Sequence, residues 1–237
     1  MKLERAEIDG LKFWHRPGFS DLKTFEEVLG RKTYLKRGMK ILPGEKWMDC
    51  GGNVGAFALL ACQAGAEVGV YEPDPYNCEI IEKNLKLNGF KAAVHQVALV
   101  SNDRKKATLF IGNNNNVWRN SIVKKWNNLG IEVPCANFDE EAAAFSCCKM
   151  DIEGAEMPIL ENKKKIFDKL VYEWSFDIDP SLKRLWSLID KQKMDYRIEA
   201  AWGSIHYEER KYERWQSEWF PACTNVFCYK KSADEDG

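Results

Sequence analysis

A cluster of acidic residues follows a short apolar segment in the second half of the chain. Asp151, Glu153 and Glu156 lie within MDIEGAE, directly after the run AAAFSCCKM. Carboxylates at the end of a buried strand carry a desolvation cost that a functional role offsets. Such a carboxylate can accept the proton of a nearby hydroxyl or bind a divalent cation that lowers the pKa of that hydroxyl. Asp151 suits either chemistry, whereas Glu156 is expected in the first turn of a helix, where negative charge is favoured.

A glycine-rich turn follows an earlier apolar segment. In MDCGGNVG, Asp49, Gly51, Asn53 and Gly55 have the spacing D-x-G-x-N-x-G. Glycine lets the backbone approach a ligand where a side chain would collide with it. Glu72 ends the next apolar run, VYE, 23 residues after Asp49, and an acid there can bind both hydroxyls of a ribose. The pair predicts a nucleoside site, and the departure from G-x-G-x-x-G disfavours a nicotinamide-dependent dehydrogenase.

Alternating apolar and amphipathic runs predict the elements that position these residues. Strands are predicted at KWMDC, EVGVYE, AAVHQVALV, SCCKMD, LVYEWSF, YRIEAAW and TNVFCYKK. Helices are predicted at VGAFALLACQAG, PYNCEIIEKNLKLNG, DEEAAAF and PSLKRLWSLIDKQK, and an inserted hairpin or irregular strands at KATLFI and IEVPCANF. The alternation predicts an α/β fold with an open, mostly parallel sheet and helices on both faces. Ligands of such sheets bind beyond the carboxyl ends of the strands.

The chain is predicted to have three parts. Residues 1–45 form an accessory segment with a strand at LKFWHR and a helix at DLKTFEEVLG. Residues 46–230 form the main domain. Residues 231–237, within KKSADEDG, are expected to be a disordered tail.

Bulk composition disfavours several classes of protein. The 35 Lys and Arg residues against 36 Asp and Glu give a formal net charge of −1, which makes nucleic acid an unexpected partner because phosphate backbones are held by basic surfaces. No apolar run approaches the ~20 residues of a membrane span, and the start MKLERAEIDG has no signal-peptide pattern. The eight cysteines form no C-x-x-C pair, which favours reduced thiols and a cytoplasmic location.

Four of these motifs resemble the FkbM-type family of S-adenosylmethionine-dependent methyltransferases. They are DCGGNVG, VYEPDP, NCEIIEKNLKLNG and, most specifically, KMDIEGAEMPIL, and the resemblance covers about residues 47–175. It implies the class I methyltransferase fold, a Rossmann-like seven-stranded sheet with strand order 3-2-1-4-5-7-6 and an antiparallel last strand. It also implies S-adenosylmethionine as cofactor and a hydroxyl, often on a sugar, as the methyl acceptor.

The resemblance also implies roles for individual residues. It places Asp49, Gly51, Asn53 and Gly55 along the methionine portion of the cofactor. Two further residues would bind the nucleoside: Glu72 the ribose hydroxyls, and Ala98, at the end of the third strand, the region of adenine.

The acidic residues are the catalytic candidates within this scheme. Asp151 would face the reactive end of the cofactor, and Glu153 is a second candidate at the same ligand edge of the sheet. Glu173, in VYEWSF, ends the neighbouring fifth strand, so its carboxylate and that of Asp151 could hold Mg²⁺ or Mn²⁺ together. Alternatively, Glu173 could orient the acceptor through hydrogen bonds.

The segment 202–220 supplies a further candidate and several aromatic residues. His206 is a candidate proton acceptor, with a surface histidine of no catalytic role as its alternative, whereas His15 and His95 are expected to be structural. The aromatic side chains could pack in the core as one face of a helix or form an acceptor wall, since flat amphipathic rings suit sugar faces. The loop NNNN at 113–116 could line the acceptor cleft.

Other functions remain open at the level of sequence. An RNA or a protein is an alternative acceptor to a sugar or a small molecule, since NLKLNG also occurs in RNA-modifying methyltransferases. A nucleotide-binding module without catalysis is another alternative. The Asp49 and Glu72 pair and the acids after the fourth strand favour an enzyme.

Overall fold

The computed structural model of the chain describes residues 2–112, 116, 119–176, 178–200 and 223–231. The N-terminal part begins with an antiparallel hairpin of β1 (Glu4–Ile8) and β2 (Leu11–His15). Helix α1 (Asp21–Phe25) continues as a π-helical turn (Glu26–Gly30) and is followed by a 3-10 turn (Thr33–Leu35). The strand and helix predicted in this part are therefore confirmed, whereas β1 was not predicted.

The later strands alternate with helices as the sequence indicates. The strands are β3 (Lys46–Cys50), β4 (Glu67–Tyr71), β5 (Ala93–His95), β6 (Ala98–Val100), β7 (Lys106–Phe110), β8 (Gly130–Asn137), β9 (Cys147–Met150), β10 (Lys169–Ser175), β11 (Tyr196–Ala200) and β12 (Cys223–Lys230). The helices are α2 (Ala56–Gln63), α3 (Pro75–Leu87), α4 (Phe138–Ala142), α5 (Glu156–Asn162) and α6 (Leu182–Gln192).

The central sheet has seven strands in the order β5-β4-β3-β9-β10-β12-β11. Numbered by their sequence order within the sheet, this is 3-2-1-4-5-7-6. Strand β12 is antiparallel to both of its neighbours, β10 and β11, and the pairs among β3, β4, β5, β9 and β10 are parallel. The predicted class I methyltransferase fold is confirmed by this order.

Helices cover both faces of the sheet. One apolar cluster joins α2 and α3 to one face through residues such as Phe57 and Ile81. A second cluster joins α4, α5 and α6 to the other face through residues such as Phe138, Leu160 and Leu188. Because helices cover both faces of the sheet, its inner strands are nearly continuous runs of apolar residues.

The prediction of one continuous strand over AAVHQVALV is wrong. The chain turns after β5, where Val97 N donates to His95 O at 2.9 Å, and β6 then joins a separate three-stranded sheet in the order β6-β8-β7. Ala98 therefore begins β6 and does not end the third strand of the central sheet. His95 is the last residue of β5, where its ring stacks on Tyr71.

The N-terminal segment, residues 2–45, packs on the main sheet through both apolar and polar contacts. Phe13, Phe25 and Leu29 belong to the same apolar cluster as α2 and α3. Asn84 of α3 accepts a hydrogen bond from Trp14 N at 2.6 Å and donates one to Trp14 O. A division of the chain at residue 45 stays a prediction, but the two sides of that division share one core.

None of the described helices is both long enough and apolar enough to cross a membrane.

Candidate functional site

A cavity of about 310 Å³ lies where β3, β4, β9 and β10 end, the edge at which ligands of such sheets bind. Predicted site residues in its wall are Gly51, Asn53, Glu72, Ala98, Asp151, Glu153 and Glu173. The fully buried Asp49 and Gly55 are not among the described residues that line the cavity. The structure therefore brings most of the predicted residues together around one space.

The glycine turn after β3 is shaped by the neighbouring strand end. Gly51 has a φ of +79°, and a Cβ atom there would lie 1.8 Å from the carbonyl oxygen of Asp151. The next strand is tied to the turn because Asp151 N donates to Cys50 O at 3.0 Å. The missing side chain of Gly51 therefore lets β3 and β9 end side by side, and its contact with the methionine portion of the cofactor stays a prediction.

Glu72 is a buried carboxylate held in place at the cavity wall. Its Oε2 accepts from Asn53 N at 2.7 Å, and its Oε1 accepts from Asp74 N at 2.9 Å and from Asn77 Nδ2 at 3.4 Å. Burial raises the pKa of Glu72 to about 7, with a contribution from the charge of Asp74, despite the opposing effect of these hydrogen bonds. The carboxylate is thereby fixed in orientation before any ligand binds.

Lys149 is a site residue that sequence reasoning missed. Its Nζ donates to Gly51 O at 2.6 Å and lies 3.1 Å from Asp49 Oδ1. The Asp49 contact is an ion pair by distance, but neither oxygen of Asp49 has a well-oriented hydrogen bond among the described residues. Burial alone would lower the pKa of Lys149, but the charges of Asp49 and Asp151 outweigh it and raise that pKa above the usual lysine value. The sequence feature that could have identified Lys149 is its position as a lysine inside the apolar strand SCCKMD.

The carboxylates of Asp151, Glu153 and Glu173 converge at the other end of the cavity. One oxygen of each lies within 4.8 Å of the others, which is close enough for a shared divalent cation. Burial, followed by the charge of Asp151, raises the pKa of Glu173 well above its usual range. The predicted proximity of Asp151 and Glu173 is therefore present in the structure.

Tyr34, from the N-terminal segment, contacts this acidic group. Its hydroxyl donates to Asp151 Oδ2 at 2.6 Å, and its ring packs edge-on against Phe57 and over Lys149 Nζ. Burial and the charge of Asp151 raise the pKa of Tyr34 well above its usual value, so the hydroxyl remains a donor. No sequence motif singled out Tyr34, because its partner lies 117 residues away along the chain.

Glu156 supports the loop that carries the acids. It was expected to favour a helix N-terminus by charge, and it does begin α5, but its carboxylate also accepts from Ile152 N at 2.6 Å and Gly154 N at 2.7 Å. Glu153 within this loop has a φ of 52°, a left-handed conformation that costs free energy outside glycine. Ser121 Oγ donates to Glu153 O at 2.6 Å from the opposite side. The loop is therefore held from two directions.

Several sequence predictions concern residues outside the described part of the chain. His206 and the aromatic residues of 202–220 lie there, as do 113–115 of the asparagine loop. Asn116, the last asparagine of that loop, lines the cavity together with Arg119 and Asn120. The role of His206 stays a prediction.

Most of the central part of the chain matches a known family of methyltransferase domains. The family described as the methyltransferase FkbM domain matches residues 49–198, which is well over half of the 237 residues. The chain belongs to the FkbM methyltransferase family. The predicted family is confirmed, and this membership supports the predicted class, an S-adenosylmethionine-dependent methyltransferase. A search of the curated proteins returns no significant match.

Several solved structures, methyltransferases among them, are similar in fold to this chain. P. horikoshii TYW2 in complex with MeSAdo is 10% identical, with 95% of this chain and 69% of that chain covered and a TM-score of 0.47. M. jannaschii tRNA m1G37 methyltransferase is 14% identical, with coverages of 97% and 57% and a TM-score of 0.47. T. thermophilus 16S rRNA N2 G1207 methyltransferase, in complex with AdoMet and guanosine, is 13% identical, with coverages of 97% and 50% and a TM-score of 0.48. This chain thus spans about half the length of the latter two.

Proposed function

We propose that the protein transfers the methyl group of S-adenosylmethionine to a hydroxyl of a sugar or another small molecule. The observation that carries the proposal is the placement of two kinds of carboxylate in one cavity. Glu72 lies at the ends of β3 and β4, where a nucleoside binds in this fold. Asp151 lies at the end of β9 in the same wall, where it can serve the acceptor.

The residues at the Glu72 end fit the cofactor. Asn53 Oδ1 is buried, belongs to a residue of the cavity wall and has no hydrogen bond among the described residues, so it can accept one from a ligand. Oε1 of Glu72 accepts two hydrogen bonds from the protein, whereas Oε2 accepts one from Asn53 N and has a second lone pair, which matches a ribose hydroxyl as donor. Gly51 and Ala98 would border the methionine and adenine portions. When bound, the cofactor supplies an electrophilic methyl group.

Asp151 is the residue that we assign to the acceptor hydroxyl. Because Oδ2 is engaged by Tyr34, Oδ1 is the proposed proton acceptor as the hydroxyl oxygen takes the methyl group. Burial and the charge of Asp151 raise the pKa of Glu173 well above its usual range, and in its protonated form Glu173 can donate a hydrogen bond that orients the acceptor. In the alternative scheme, Asp151, Glu153 and Glu173 would hold Mg²⁺ or Mn²⁺, which would lower the pKa of the hydroxyl.

A chelator series separates these two schemes. Loss of methyl transfer with EDTA, restored by Mg²⁺ or Mn²⁺, assigns the carboxylates to a metal. Indifference to EDTA assigns proton transfer to Asp151, and His206→Ala is then the next variant to measure.

The charge distribution supports a small acceptor over a nucleic acid. The net charge is −1, and the acceptor end carries the carboxylates of Asp151, Glu153 and Glu173. Lys149, the cation beside them, is engaged by Asp49 and by backbone carbonyls. A polyanionic RNA would meet repulsion at this end of the cavity. A cytoplasmic location stays a prediction.

The acceptor class is tested by labelled methyl transfer. The protein is incubated with isotopically labelled S-adenosylmethionine and, separately, with a glycan library, a small-molecule extract, total RNA and a protein extract. Mass spectrometry is expected to find the label on an oxygen of a glycan or a small molecule. Label confined to RNA or protein would contradict the proposed acceptor, and the absence of cofactor binding would contradict the proposed class of reaction.

A further inference from the structure

Two hydrogen-bonded chains connect the N-terminal segment to the carboxylates of the cavity. The first begins at Arg16, which is buried and forms a forked ion pair with Asp21. Arg16 Nη2 also donates to Asn77 Oδ1 at 2.8 Å. Because that bond fixes the orientation of the amide, Asn77 Nδ2 faces Glu72 Oε1 at 3.4 Å. Arg16 therefore acts on Glu72 through Asn77.

The second chain is the bond from Tyr34 to Asp151 at the other end of the cavity. The ring of Tyr34 is fixed by Phe57 of α2, so the hydroxyl is presented from a rigid position. Thr24, Glu27, Val28 and Thr33 of the same segment also line the cavity. The N-terminal segment therefore forms part of the cavity wall as well as a support for Asp151.

We infer that residues 16–34 are an integral part of the active site, in which Arg16 positions the cofactor carboxylate Glu72 and Tyr34 positions the acceptor carboxylate Asp151. The inference rests on the proposed function and deepens it, because it assigns specific positioning residues to a segment outside residues 49–198, where the family match lies. A positioned carboxylate contributes to rate through geometry, since small misplacements of a reacting group are costly. The segment thus serves both cofactor binding and methyl transfer, through separate residues.

The effect of Arg16 on cofactor affinity is measured by calorimetric titration with S-adenosylhomocysteine, which requires no acceptor. Arg16→Lys keeps a cation for Asp21 but loses Nη2, the nitrogen that donates to Asn77 Oδ1. We expect the dissociation constant to rise about three- to tenfold, the range of one hydrogen bond. Asn77→Ala should have an effect of similar size, and Arg16→Lys should add nothing in the Asn77→Ala background. Asn88→Ala is the matched control, since Asn88 joins the same helix to Lys12 away from the cavity.

The effect of Tyr34 on methyl transfer is measured as the rate of label incorporation at saturating S-adenosylmethionine. Tyr34→Phe removes only the hydroxyl, and we expect kcat to fall about tenfold or more while the dissociation constant of S-adenosylhomocysteine changes less than about twofold. Tyr229→Phe is the matched control, because the hydroxyl of Tyr229 also joins the sheet to the N-terminal segment, at Arg37 O, outside the cavity. It should keep the parental rate.

Arg16→Lys is expected to weaken the binding of S-adenosylhomocysteine, whereas Tyr34→Phe is expected to lower kcat and leave that binding nearly unchanged. A general loss of stability would not separate the two effects in this way. The inference is overturned if Arg16→Lys leaves cofactor affinity unchanged, if its effect adds fully to that of Asn77→Ala, or if Tyr34→Phe retains the parental kcat. Equal losses in Tyr34→Phe and Tyr229→Phe would also overturn it. Failure of the proposed function is distinguishable, since the parent protein itself would then bind no S-adenosylhomocysteine or transfer no methyl group.

Discussion

Asp151 is the residue on which the proposed chemistry depends most. Asp151→Asn keeps the size of the side chain and an oxygen that can accept from Tyr34, but it removes the charge needed to accept a proton or hold a cation. We expect turnover to fall ~10²-fold or more, with S-adenosylhomocysteine affinity and the melting temperature close to those of the parent. Asp190→Asn, an exposed change on α6, is the control. Parental turnover in Asp151→Asn would mean that the acids of MDIEGAE are structural.

Glu72 predicts a pH dependence of both stability and cofactor binding. Its pKa is about 7 in the folded protein against about 4.3 in an unfolded chain. The folded state therefore binds a proton between these values, and the free energy of unfolding of the cofactor-free protein falls as pH rises through about 7. Ribose hydroxyls donate to the ionised form, so the affinity for S-adenosylhomocysteine should rise over the same interval.

Glu72→Gln is the comparison that isolates this carboxylate. Glu156 also has a pKa raised to about 7, so the dependence on Glu72 is the difference between parent and variant. Denaturant unfolding and calorimetry from pH 5 to pH 8 measure it. A variant with the same pH profile as the parent would show that Glu72 is not the titrating group.

At the scale of elements, the loop between β9 and α5 is held by Glu156. Glu156→Gln retains only one acceptor oxygen for the two backbone N–H groups of Ile152 and Gly154. We expect a loss of about 1–3 kcal/mol in the free energy of unfolding, the cost of an unsatisfied buried donor, and a lower turnover because Asp151 shifts with its loop. Urea unfolding at pH 8 measures the first effect. Glu79→Gln, at an exposed site on α3, should be neutral, and equal stabilities of Glu156→Gln and parent would contradict the bracing role.

The regular elements were predictable because their signals are local. The glycine turn after KWMDC, the acid that ends VYE, and the acids after SCCKMD each follow an apolar run, and parallel strands bring their carboxyl ends to one edge. The break between His95 and Ala98 was missed because the run AAVHQVALV is apolar on both sides of it. Its two halves pair with strands of different sheets. Tertiary contacts decide which sheet each half joins.

The missed site residues share a physical cause. Tyr34 and Lys149 gain their roles from partners 117 and about a hundred positions away along the chain, and no local pattern encodes such a contact. The sequence nevertheless indicates a role for Lys149, since a lysine inside a buried strand requires a partner. The need for Gly51 was predictable, but the atom that it avoids, Asp151 O, was not.

At the scale of the molecule, the N-terminal segment and the sheet are expected to unfold as one unit. Phe13 is fully buried and stacks on Phe25 with ring centroids 3.8 Å apart, within the cluster that contains α2. Phe13→Ala should cost about 3–5 kcal/mol in the free energy of unfolding, in a single transition seen by far-UV circular dichroism and by tryptophan fluorescence. Leu42→Ala, at a half-exposed site, is the control. Two separate transitions would show that residues 2–45 fold independently.

The proposed function requires the cavity at the ends of β3, β4 and β9 to bind S-adenosylmethionine. Calorimetric titration of the protein with S-adenosylmethionine, S-adenosylhomocysteine and NAD measures this binding. We expect the first two to bind and NAD to give no signal, because the turn D-x-G-x-N-x-G is not a dinucleotide motif. Glu72→Ala should lose about 1.5–3 kcal/mol of S-adenosylhomocysteine affinity, the range of hydrogen bonds to a charged group. Tight binding of NAD with no response to S-adenosylhomocysteine, or an unchanged affinity in Glu72→Ala, would contradict the account.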